Sequence, residues 1–65
     1  MDAAAFNLLS ETEQLELIWQ KSHLLNDVVS GEYQTVYYKI EDFFVMVKYQ
    51  LATDNIFEIR ALEKI

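Results

Sequence analysis

The chain has no cysteine, no proline and a single glycine among its 65 residues. Without cysteine there is no disulfide, no thiolate metal site and no sulfur nucleophile, a pattern that fits a reducing compartment. One glycine cannot build a loop that cradles phosphate. No apolar run approaches the roughly 18 residues that mark a membrane-spanning helix. No basic segment leads into an apolar one at the start of the sequence, so no secretory signal is expected and the expected location is cytoplasmic. Positive charge is scarce too: Lys and Arg number 5 against 11 Asp and Glu, a formal charge of −6. That balance repels phosphate backbones and anionic membranes, so neither nucleic acid nor membrane is an expected partner.

Apolar side chains are abundant. At 52% hydrophobic residues the chain is not disordered by composition. Its length makes one domain, residues 1–65, with a core so small that association is a common remedy.

The stretch Tyr33–Leu51 organises the rest. It is almost wholly β-branched or aromatic, interrupted by the acidic pair Glu41-Asp42. This predicts two strands joined by a two-residue turn, with a longer loop or bulge as the alternative because tight turns prefer Asn-Gly or Asp-Gly. Strand side chains alternate between faces, so the turn sets which residues are buried. Ile40 then opposes Phe43, Tyr38 opposes Val45 and Val36 opposes Val47, and these with Tyr49 form a core face. Tyr33, Thr35, Tyr37, Lys39, Phe44, Met46 and Lys48 fall on the outer face. A five-residue loop Leu51–Asn55 leads to a further strand, pairing Tyr49 with Phe57, Val47 with Ile59 and Val45 with Ala61. Lys48 meets Glu58 and Met46 meets Arg60 across that pair. The tail Glu63-Lys64-Ile65 is expected to fray.

Upstream, Asp2 can cap a short turn through Ala3–Leu9. Ser10 with Glu13 forms a capping box that starts the main helix. Acidic Glu11, Glu13 and Glu16 near its start and Lys21 near its end suit the macrodipole. Leu15, Ile18, Trp19 and Ser22 share one helical face. Trp19 is expected at the centre of the core, with Phe6 and Leu9 covering one edge. The helix either continues through Val29 or stops near Lys21–Ser22, leaving His23–Val29 as a first strand. The second choice places the lone glycine in a Ser30-Gly31 turn and pairs Leu25 with Val36. The expected fold is therefore α+β: one N-terminal helix on an antiparallel meander of four strands, or three.

The segments FNLLSETEQLELIWQK, HLL, YYKIEDFFVMVKY and NIFEIRAL resemble a family of short uncharacterised bacterial proteins, whose members read FN-x-L, L-L-W, Y-x-L-D-G-F-Y-V-E-V-x-Y and I-R-S-F in the same order. The resemblance covers most of the chain. It implies a helix followed by an antiparallel meander, and no activity. The sequence departs from that pattern at Ser22, where a glycine would mark the helix end, at Asp42-Phe43, where a glycine would mark the turn, and at Met46, which stands for an acidic residue.

No set of residues suggests catalysis. His23 is the only histidine, and its neighbour Ser22 diverges from it on either a helix or a strand. Glu41-Asp42 sit side by side in a turn and cannot flank a substrate. Asp54-Asn55 offers too few oxygens for calcium, which takes six or more. The expectation is no enzyme, no cofactor and no metal. The notable surface is the outer face, where Tyr33, Tyr37, Phe44, Met46, Ile56 and Leu62 lie among Lys39, Lys48 and Arg60. An apolar patch of that kind marks an interface. Self-association as a homodimer, through this face or a sheet edge, is the leading expectation. An acidic inhibitor, antitoxin or immunity-like role toward a partner protein comes second. Binding of single-stranded nucleic acid or a small ligand on the aromatic face comes third.

Overall fold

The computed structural model describes residues 1–64. Two helices, α1 (Ala3–Asn7) and α2 (Glu11–Lys21), precede four strands: β1 (His23–Ser30), β2 (Tyr33–Ile40), β3 (Phe43–Gln50) and β4 (Asn55–Leu62). The strands form one antiparallel sheet in the order β1-β2-β3-β4. The fold is α+β, with the four-strand meander and the helices on one face.

Local chemistry explains where the helices start and stop. The Asp2 carboxylate accepts the Ala5 N–H at 2.9 Å and caps α1. At α2 the capping box closes: Ser10 Oγ accepts the Glu13 N–H, and Glu13 Oε1 accepts the Ser10 N–H, both at 3.2 Å. Ser22 ends α2 in an extended conformation, its N–H and hydroxyl both donating to the Ile18 carbonyl. The chain therefore passes into β1 with no glycine at the helix end.

The β2–β3 hairpin has the expected register throughout, with Ile40 opposite Phe43 across the two-residue turn Glu41-Asp42. The other two connections differ from expectation. Ser30 pairs with Tyr33, so the first turn is Gly31-Glu32, and Asp27, not Leu25, opposes Val36. The reason is backbone handedness. Gly31 has φ +61° and Glu41 has φ +53°, and each is the first central residue of its turn, where a primed hairpin turn requires positive φ. The last loop has four residues, Leu51–Asp54, because Gln50 pairs with Asn55. Asp54 takes the left-handed conformation, φ +56°, and its N–H bonds the Gln50 carbonyl at 2.8 Å. Extra residues bulge at Leu25 in β1 and Phe57 in β4, and Tyr49 therefore pairs with Ile56. Beyond Leu62, Glu63 and Lys64 are exposed, while Ile65 lies outside the described residues.

Gly31 supports a clean prediction. A Cβ there would meet nothing within 4 Å, so only backbone strain opposes a side chain. Gly31→Ala should cost about 1 kcal/mol, the left-handed penalty of an L-residue less the gain from a stiffer unfolded chain. A lowered urea midpoint at unchanged slope is the expected result.

The core lies between the helices and the inner sheet face: Ala3, Phe6, Ile18, Ile40, Phe43, Val45, Val47 and Ala61, with Leu9, Leu17, Ile56 and Ile59 packed around them. Trp19 is not in it. Its side chain is 89% exposed, while Phe6 is fully buried with its ring 5.8 Å from that of Phe43. The short helix α1 packs on β4 and β3 and carries Phe6 into the position expected for Trp19. The roll of α2 follows from this. Buried Gln14 donates from Nε2 to the Phe6 carbonyl at 3.1 Å. That anchor turns Gln14, Leu17 and Ile18 toward the core and leaves Leu15 half-exposed and Trp19 outside. A polar residue is thus buried by design of the α1–α2 corner, at a site where helical spacing alone favours the neighbouring stripe.

Candidate interaction surfaces

Two apolar surfaces are left over. The first is the outer face of the sheet, opposite the helices. Its rows follow from the register: Lys39, Phe44 and Leu62; then Tyr37, Met46 and Arg60; then Thr35, Lys48 and Glu58. Tyr33 lies at the next level of β2, opposite Gln50. Tyr33, Tyr37, Phe44, Met46 and Leu62 are half-buried although no element covers them, because neighbours lie flat on one another. Ile56 is a correction. The bulge at Phe57 sends Ile56 to the core side, where it packs against the central cluster. Phe57 joins the outer face instead, its ring 5.3 Å from that of Tyr33.

The same bulge redirects the charges. Lys48 Nζ sits 4.6 Å from the Tyr33 ring centre and 5.5 Å from that of Phe57. Glu58 stands opposite Lys48, yet its carboxylate binds Arg60 Nη2 at 2.6 Å on its own strand. In place of the expected Lys48–Glu58 pair, the ammonium lies against two rings whose negative faces attract it. Lys39 Nζ lies 5.8 Å from the Phe44 ring centre. All three basic residues of this face therefore have partners within the chain.

The second surface surrounds β1. All eight of its residues are exposed. α2 packs on β2 and stops short of covering the sheet's first strand. Between them runs an open groove of about 450 Å³, lined by Leu15, Ile18, Trp19, Ser22, Leu24 and Tyr38. Its polar groups are tied up or unsuited to proton transfer at neutral pH. Ser22 Oγ donates to the Ile18 carbonyl. Burial, followed by the neighbouring Tyr49 phenol, raises the Tyr38 hydroxyl above its ordinary pKa of 10.0. His23 is exposed on β1 opposite Lys39. Glu41 and Asp42 project from a hairpin tip, and Asp54 from a loop, all exposed. Among the described residues no three His, Cys, Asp or Glu side chains converge on a point where a metal ion would sit, and no helix is long and apolar enough to cross a membrane.

Sequence reasoning missed the Trp19 surface and one further feature. Asn7, at the end of α1, grips the edge strand β4: its Oδ1 accepts the Ala61 N–H at 2.8 Å and its Nδ2 donates to the Ala61 carbonyl at 3.1 Å. A contact across 54 residues has no local signal. Comparison with known proteins adds nothing to these observations: no family model matches the chain, nor does any curated protein or solved structure.

Proposed function

We propose that this chain is a non-catalytic interaction domain that pairs with a second copy of itself through its sheet. The observation that carries the reading is the amount of apolar sheet surface that neither helix covers. Leu24, Leu25, Val28, Val29 and Phe57 are exposed together with Trp19, while a chain of this size has few other means of burying them. The outer face argues less well for single-stranded nucleic acid. Its aromatic rings resemble a stacking platform, but its cations already lie against Phe44, Tyr33, Phe57 and Glu58, and the overall charge is −6.

Light scattering across a dilution series tests the proposal directly. The expected result is a mass twice the 7.7 kDa of the chain at high concentration, falling toward one copy on dilution. A single-copy mass at every concentration overturns it and leaves a different partner protein as the reading to pursue.

A further inference from the structure

We infer that the pairing contact is β1 against β1 of the second copy, which makes one continuous eight-stranded sheet with the Trp19 of each copy at one end of the contact. This rests on the self-pairing reading above and names the surface it uses.

The two edges of the sheet are unlike. On β4 the Asn7 amide occupies the main-chain groups of Ala61, α1 packs alongside, and the strand carries Glu58 and Arg60. These are devices that block strand addition. On β1, the sequence HLLNDVVS has no lysine, no proline and one carboxylate. Its remaining defence is the bulge at Leu25, which leaves Asn26–Ser30 as a regular ladder.

Register narrows the contact further. Residues facing each other across an antiparallel pair share a face, so a twofold axis must pass through a residue. An axis at Asp27 would oppose two carboxylates, and an axis at Asn26 would run the ladder into the bulge. With the axis at Val28, Val28 faces its own copy and Asp27 faces Val29.

Such an axis stands perpendicular to the sheet and keeps both helix layers on one side. α2 runs obliquely across that side: Glu11 and Gln14 lie by Ile56, Phe57 and Ile59 of β4, while Trp19 lies by Leu24 and Tyr38 at the β1 side. With the axis at Val28, Leu24 falls level with the Gly31-Glu32 turn of the second copy, so the two indoles stand at opposite ends of the contact, each beside that turn. Trp19 is 89% exposed and Leu24 67%, and edge pairing would bury part of both.

The chain has no native cysteine, so single-cysteine variants report the contact without background. Val28→Cys should form a covalent dimer on mild oxidation, since directly opposed strand residues lie within disulfide reach, and Met46→Cys on the outer face should not. Trp19→Glu should weaken the dimer about tenfold or more with circular dichroism unchanged, because the exposed indole does not hold the monomer together. Emission from Trp19, the only tryptophan, should shift to the blue as concentration rises. If scattering shows a dimer but Met46→Cys cross-links, Val28→Cys does not and Trp19→Glu leaves the mass unchanged, the edge contact is wrong and the self-pairing reading stands. A monomer throughout overturns both.

Discussion

Phe6→Ala should leave the chain largely unfolded at 25 °C. The ring is fully buried and packs 5.8 Å from Phe43 at the centre of the core. Truncating a buried phenylalanine to alanine costs about 3–5 kcal/mol, and the core of a chain this short rarely supplies more than about 3–5 kcal/mol in total. The cavity would also loosen the corner where Gln14 bonds the Phe6 carbonyl. Far-ultraviolet circular dichroism with a urea titration is the measurement, and loss of the folded baseline is the expected outcome. Trp19→Ala is the contrasting control. It removes a larger side chain, yet one that contributes nothing to the core of a single copy, so the monomer's stability should move by less than about 0.5 kcal/mol. Were the two results reversed, the placement of α1 over β3 and β4 would be wrong.

Asn7→Asp should destabilise by about 1 kcal/mol at neutral pH, the net worth of a hydrogen bond at a site that water still reaches, although it changes one amide for an isosteric acid. The carboxylate can still accept from the Ala61 N–H. Its second oxygen, however, replaces a donor and faces the Ala61 carbonyl, where two acceptors repel and one is left unsatisfied. A protonated acid recovers the donor, so folding favours the protonated form and raises its pKa above the unfolded value. The deficit is then smallest below the unfolded carboxyl pKa and grows as pH rises through the folded one. Thermal unfolding of variant and parent at matched pH reads this difference. A deficit independent of pH would show that the clasp works through packing alone. The variant also frees one end of the β4 edge, so aggregation on heating should increase.

How much of this was legible in the sequence depends on the range over which each feature is determined. The β2–β3 hairpin was readable residue by residue because alternation and one acidic dipeptide fix it locally: Ile40 must face Phe43 if Val36, Tyr38, Val45 and Val47 are to share the core. The helix boundaries were readable for the same reason, through Ser10, Glu13 and the short reach of a cap. The first turn lies one residue beyond its expected place because the twist of a hairpin demands positive φ at the first central position, which Gly31 fills. Pairing therefore moved by two residues, and Asp27 took the place expected for Leu25. The bulge at Phe57 exchanged the faces of Ile56 and Phe57, which strict alternation cannot foresee. The roll of α2 was illegible because it depends on Gln14 meeting a carbonyl of α1, a contact between elements. With that hydrogen bond Trp19 lies on the surface and not in the expected core, which adds a second apolar surface, around β1, to the outer face.

The clasp between Asn7 and Ala61 also bears on how the molecule comes into being. Phe6 and Asn7 are made before their neighbours Phe43 and Ala61, and Ala61 follows Asn7 by 54 residues. The helices can form early, yet they have nothing to rest against until β3 and β4 have been made. Folding should therefore be a late, all-or-none event governed by contacts distant in sequence. A nascent chain that stalls before β4 would present Phe6 and the unfilled core to the chaperone machinery.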